Sequence, residues 1–218
     1  MKANYHEDFI EEKIYHVYNR TNNKELLFRT DENRVFFLNK FDRYLSPFFH
    51  TFCRNLLPNH FHYLVKVKSA EAIKAYLNNL PVRELVKIEK QYLEDNTSAE
   101  LLLEAEWKRF FISYSMSFNN QYDRKGNLFH RPFKRKLVDT DDYFTQLVIY
   151  IHANAQHHNM CENFTEYPWS SWHEVVSSIP TNLERKMLFD WFGGIDRFKQ
   201  AHYNHNKICL DHVYLEDD

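Results

Sequence analysis

Glycine is almost missing from this chain: Gly126, Gly193 and Gly194 are the only three in 218 residues. A Gly-rich loop that cradles phosphate is therefore not available, and any phosphate chemistry must rest on other groups. Cysteine is as sparse. Cys53, Cys161 and Cys209 are odd in number, widely spaced and free of a Cys-x-x-Cys pattern, which fits reduced thiols in a cytoplasmic protein. Residues 1–8 have no basic start and no apolar run after it, so no secretory signal is visible. No apolar stretch approaches membrane-spanning length, and there is neither an internal repeat nor a low-complexity tract.

Aromatic residues are plentiful, at 17% with 19 Phe and 14 Tyr, and hydrophobic content is 44%. That is ample for a packed, β-containing core in one domain, or in one domain with an appendage. Net charge is −2 with a pI near 6.7, which by itself does not suggest a nucleic-acid binder. The average conceals an asymmetry. Arg124, Lys125, Arg131, Lys134, Arg135 and Lys136 lie between positions 124 and 138 without one acidic residue, while acid gathers at Glu7, Asp8, Glu11, Glu12 and Glu216-Asp217-Asp218. Such a segment suits a phosphate-contacting surface, and equally suits a lysine-decorated edge strand.

Local patterning gives an element order. Residues 13–18 read as a strand, and a helix capped by Thr30 or Asp31 and stopped by Pro47 follows. Residues 48–57 and 58–68 read as two adjacent strands, then helical patterning begins after Ser69 with a break at Pro81. Leu103, Trp107, Phe110, Phe111, Tyr114 and Phe118 recur at i+3/i+4 and mark the clearest amphipathic helix, over 101–122. A strand is expected over 127–138, a helix from Thr140 to about Asn159, and a short helix near 183–192. The order β-α-β-β-(α α)-β-α predicts an α+β fold: a ferredoxin-like antiparallel sheet with helices on one face, a helical insertion and a C-terminal extension. The histidine strand is central in that topology.

The chemistry concentrates in Leu57-Pro58-Asn59-His60-Phe61-His62-Tyr63-Leu64-Val65. Period-two alternation sends His60 and His62 to one face, and two imidazoles on a rigid strand make half of a divalent-metal site. Among 13 histidines the spacing alone is weak, since roughly one such pair arises by chance. Tyr150 and Asn154, at i and i+4, stack on one face of the later helix, at the edge of its apolar stripe where a side chain meets both core and solvent. An amphipathic tyrosine there is ordinary packing in the bland reading.

Several segments, taken in order, resemble the REP-associated, single-tyrosine HUH transposases. They are Tyr15-His16-Val17-Tyr18-Asn19-Arg20; Leu56 to Val65; Phe118-Asn119 with residues 122–129; Arg131-Pro132-Phe133-Lys134; Tyr150-Ile151-His152-Ala153-Asn154; and Trp169-Ser170-Ser171-Trp172. The resemblance spans about residues 13–200. It implies a nuclease domain over 1–160, with the insertion at about 69–100, and an extension over 161–218 packed on it. It implies Mg²⁺ or Mn²⁺ bound by His60, His62 and Asn154, and Tyr150 as the nucleophile that forms a covalent 5′-phosphotyrosine. The implied partner is single-stranded DNA with hairpin-forming repeats, met by Arg20, Arg124, Lys125, Arg131, Lys134 and Lys136, and the protein is a monomer or a homodimer. Ala155 departs from the family, whose helix usually continues with proline.

A phenol with an ordinary pKa near 10 needs a proton acceptor, and His16, His152, His157 or water on the metal are the candidates. Three other readings remain open: a DNA- or RNA-binding module without transposition, a metal phosphodiesterase that uses water, and a structural protein without metal.

Overall fold

The computed structural model describes residues 7–205. Four strands, β1 (Ile14–Arg20), β2 (Phe49–Leu56), β3 (His60–Val67) and β4 (Lys134–Val138), form one antiparallel sheet in the order β2-β3-β1-β4. Helix α1 (Asp31–Tyr44) joins β1 to β2, and the long α4 (Ala99–Gln121) precedes β4. This is the ferredoxin-like βαββαβ order, with the histidine strand β3 central as expected.

Alternation along the strands decides what each face carries. Tyr15 and Val17 of β1 and Phe61, Tyr63 and Val65 of β3 enter a core with Phe37 and Phe41 of α1 and Trp107 and Phe110 of α4. Phe41 stacks on Tyr63 at 4.1 Å and 9°, and Phe37 meets Phe110 edge-on at 4.9 Å. Such pairs add about 0.5–1.5 kcal/mol each beyond their burial. Cys53, Leu64 and Val138 pack on the other side, against α5 (Asp141–His157), α6 (Trp172–Val176), α7 (Arg185–Phe192) and α8 (Ile195–His205). The α+β class and the sheet are as the sequence implied, but helices cover both faces. The one-face expectation holds for α1 and α4, with α2 (Ala70–Asn78) and α3 (Lys87–Leu93) joining the same core, while α5 and the helices after it lie on the other face. The aromatic layer of α1 and α4 fills the first face, and the apolar side of α5 (Phe144, Leu147, Val148, Ile151) beds on the other.

Local chemistry sets the helix boundaries. Asn33 accepts the amides of Arg29 and Thr30 at 3.0 and 3.3 Å where α1 opens. Thr140 Oγ1 accepts the Tyr143 amide at 3.2 Å where α5 opens, and Asp141 and Asp142 complement the helix dipole there. The insertion holds α2 and α3. The strand expected over 127–138 begins only at Lys134. The preceding loop is pinned instead by the Asn22 side chain, which donates to the carbonyls of Asn127 and Phe129. Residues from position 161 onward supply Phe164, Trp172, Val175, Leu188 and Phe198 to the core beside α5.

The outer edge of β2 is covered. Leu56 N–H donates to Trp169 O at 3.1 Å and Ser171 N–H to Arg54 O at 2.9 Å, so residues 169–171 run along it like a short extra strand. Among the described residues no helix is long and apolar enough to cross a membrane. Residues 1–6 and 206–218, with Cys209 and the acidic tail, lie outside the described residues.

The insertion meets α4 through a buried acidic pair. Arg109 Nη1 donates to both oxygens of Glu106 at 2.7 Å and to Glu89 at 3.0 Å. Burial outweighs that guanidinium and, with Glu89 adding, pushes the Glu106 carboxyl from 4.5 up to about 7. Between those values the folded state holds a proton that the unfolded state has released, so stability falls as pH rises through the window. Urea unfolding from about pH 4.5 to 7 is expected to show this decline in the native protein and a flatter profile in Glu106→Gln. Parallel profiles would remove Glu106 as the source.

Candidate active site and nucleic-acid cleft

Strand register assembles a polar patch on the α5 face of the sheet. Lys134, Tyr18, His62 and Asn55 are direct partners across all four strands, and Arg20 stands opposite His60. In the next row Lys136 pairs with His16, which pairs with Leu64. The same strands that send Phe61 and Tyr63 to the aromatic core send His60 and His62 here, their rings 5.3 Å apart.

Each histidine is oriented by a bond at Nδ1. His60 Nδ1 lies 2.7 Å from Asn59 Oδ1, which as an acceptor requires Nδ1–H and so leaves Nε2 the lone-pair nitrogen. His62 Nδ1 lies 2.9 Å from His16 Nε2. In that pair the donor is decided by the tautomers, and donation from His62 gives it the same lone pair at Nε2.

Helix α5 crosses over this patch. The Tyr150 ring stands 5.7 Å from His62 and nearly perpendicular to it, at 87°. Two turns further on, the His158 ring stands 5.0 Å from His60. Tyr150, Asn154 and His158 follow at i, i+4 and i+8, so Asn154 sits between two residues that touch the two histidines. Asn154 is fully buried, and neither its Oδ1 nor its Nδ2 has a hydrogen-bond partner among the described residues. Burying such groups unpaired costs about 1–3 kcal/mol each. Two imidazole nitrogens and a carboxamide oxygen are donor types that divalent first-row cations accept, and a cation would satisfy the stranded carboxamide oxygen. Among the described residues no group of three or more His, Cys, Asp or Glu is arranged to hold a metal.

Tyr150 is only 1% exposed and Asn154 fully buried. The expectation that both stand at the border of core and solvent is corrected, because this side of α5 lies against the sheet, with Tyr150 on His62, while α8 covers the opposite, His152 side. The Tyr150 ring also lies 5.9 Å from that of His157, whose pKa is lowered by burial and by His158. His152, two residues from Tyr150, points to the opposite side of the helix and bonds to His202 and Ser171.

Beside His60 a cleft of about 770 Å³ opens, lined among others by Tyr18, Arg20, Lys24, Arg131 and Lys134. His130, also in its wall, has its pKa lowered by burial and by Arg20 and Lys134, the mark of a positive potential. Of the residues expected to meet phosphate, Arg20, Arg131 and Lys134 therefore come together. Lys136 lies two residues along β4, with its ammonium 4.7 Å from the Tyr143 ring. Lys125 is exposed on the turn after α4. Arg124 does not join them: its guanidinium grips Glu25 at 2.6 and 2.9 Å and the carbonyls of Gly126 and Asn127. Arg135, on the other face of β4, pairs with Glu104.

Asn59 and Lys24 also line the cleft, and no role was expected of them from sequence. His158 falls on the same side of the helix as Tyr150 and Asn154, as its i+8 spacing implies, though no role was assigned to it.

No family model and no curated protein sequence matches this chain. Among solved structures it is similar to a REP-associated tyrosine transposase bound to a REP hairpin, with 14% identity and a TM-score of 0.51. The match covers 82% of this chain and 88% of that one. At that identity the likeness concerns the fold.

The stranded carboxamide makes a test. In chelator, Asn154→Leu is expected to stabilise the protein by about 1–2 kcal/mol, because a similar volume replaces two unpaired polar atoms. Added Mn²⁺ should raise the melting temperature of the native protein and leave that of the variant unmoved. A variant less stable than the native protein in chelator would mean that the amide is satisfied.

Proposed function

We propose that this chain is a metal-dependent, single-stranded DNA endonuclease and strand transferase, a transposase that cuts through a covalent 5′-phosphotyrosine on Tyr150. The observation that carries the reading is the convergence of Tyr150 on His62, with Asn154 between the contacts to the two histidines, beside a basic cleft. The similarity in fold to a transposase bound to a DNA hairpin supports the substrate class.

His60, His62 and Asn154 would hold one Mg²⁺ or Mn²⁺, which when bound supplies positive charge to the non-bridging oxygens of the scissile phosphate. All three ligands are neutral and leave that charge undiminished. Arg20, Lys24, Arg131 and Lys134 grip the neighbouring phosphates and fix the strand across the patch. Tyr150 Oη attacks phosphorus; the Oη–P bond forms, the P–O3′ bond breaks, and the departing 3′ oxygen takes a proton from solvent water to become a hydroxyl. His157, neutral through burial and the nearness of His158, takes the phenol proton. His16 and His152 are engaged elsewhere, with His62 and with His202. The phosphotyrosine conserves the phosphodiester energy, so attack by another 3′-hydroxyl rejoins the strand without ATP.

The burial of Tyr150 favours one rival, a DNA-binding module in which the ring only packs. In the transposase reading the scissile phosphate must reach the phenol beside His62. A denaturing gel of labelled single-stranded oligonucleotides from the DNA flanking the gene, with Mn²⁺, separates the readings. The native protein is expected to give a slow-migrating covalent adduct that Tyr150→Phe abolishes, with DNA binding retained. Cleavage by both without an adduct makes water the nucleophile, and binding without cleavage by either leaves the recognition module.

A further inference from the structure

Behind the nucleophile helix runs a buried chain of bonds in which, with both imidazoles neutral, each hydrogen has one consistent position. His202 Nδ1 lies 2.8 Å from the carbonyl of Phe198, one turn back on α8, and must therefore carry the proton. His202 Nε2 is then an acceptor, so His152 Nδ1, 2.9 Å away, donates to it. His152 Nε2 is in turn the acceptor for the Ser171 hydroxyl at 3.0 Å, and Ser171 Oγ accepts the Arg54 amide of β2 at 2.9 Å. His152, Ser171 and His202 are each at most 1% exposed. The chain thus runs from the sheet edge through α5 into α8 with every donor matched to an acceptor.

His152 lies two residues from both Tyr150 and Asn154, which on a helix is about 200° around the axis. These bonds therefore hold the back of α5 while its front carries the reactive side chains. Between front and back, at Ile151, a second anchor holds the helix: Asn55 Nδ2 donates to the Ile151 carbonyl at 2.7 Å. Clamped on two sides, α5 has little freedom to roll, and a roll is the motion that displaces a phenol most.

We propose that His202 is a positioning residue: through His152 it fixes the roll of α5, and so sets Tyr150 and Asn154 over the histidine strand. This rests on the reading of Tyr150 as nucleophile. It gives the C-terminal extension a part in catalysis without contact with DNA, and it gives the Ser170-Ser171 segment the task of joining sheet edge to helix. The cleft lies on the other side of β3 from this chain of bonds, so DNA affinity should not depend on it.

Two substitutions separate positioning from mere support. His202→Gln extends an amide far enough to accept from His152 Nδ1–H. His202→Asn keeps a donor for the Phe198 carbonyl but is too short to reach His152. Adduct formation at saturating oligonucleotide is expected to fall roughly 10- to 100-fold in His202→Asn, the effect of a misplacement near 1 Å, and to return to within about threefold of native in His202→Gln. The dissociation constant for DNA, by fluorescence anisotropy, should stay within about twofold for both. A native rate in His202→Asn, an equal fall in the two variants, or a loss confined to affinity overturns the proposal while the nuclease reading stands. If the native protein forms no adduct, the nuclease reading fails, and hydrogen exchange of the α5 amides decides the rest. Faster exchange over 149–154 in His202→Asn alone upholds the holding role, and unchanged exchange ends it.

Discussion

The period-two alternation of the central strands is the constraint on which everything else depends. β1 and β3 each place aromatic or branched residues on one side (Tyr15, Val17, Phe61, Tyr63, Val65) and imidazoles on the other (His16, His60, His62). A slip of one residue in the pairing of β3 would exchange these sets, putting imidazoles into the Phe and Trp layer. The core therefore enforces the site: the same stacking of Phe41 on Tyr63 that stabilises the fold keeps His62 facing α5. Stability on one face and geometry on the other are two readings of one register.

That arrangement concentrates buried polarity on the α5 side. His16, Asn55, His62, His152, Asn154, Ser171 and His202 are all nearly or fully inaccessible. Most belong to short side-chain bonds that tie sheet, α5 and α8 together. Asn154 is the exception, with both amide atoms unmatched among the described residues. A residue of that kind in the most enclosed stretch of the molecule is unfavourable for folding and is retained where a ligand or a reaction needs it.

Much of this was legible in the sequence. The strand carrying the two histidines, the long aromatic helix, and the Thr140 cap of the Tyr150 helix all follow from local spacing and capping chemistry. The sheet order followed from the sequence of elements. What local patterning did not reveal is where charge is spent. Arg124 and Arg135 look like their basic neighbours along the chain, yet ion pairs with Glu25 and Glu104, distant in sequence, take them away from the cleft. The burial of Tyr150 was hidden for the same reason, since it comes from the packing of α5 on a histidine strand far away in sequence. The loop before β4 shows the limit from the other side: a run that reads as strand is held open by one asparagine on a remote turn.

The covering of β2 has a consequence in time. The strand is complete at Leu56, but the segment that satisfies its outer edge begins at Trp169, more than a hundred residues later. At synthesis rates of about 5–20 residues per second, that edge stays open on the ribosome for roughly 6–23 seconds. Through that interval the nascent sheet exposes a row of unpaired amides and carbonyls, a template for the wrong strand. The serine segment closes the end of that edge near Leu56 and Leu183 and Glu184 then close it at Thr51, and a slow or truncated translation would leave the molecule most prone to associate with its own kind.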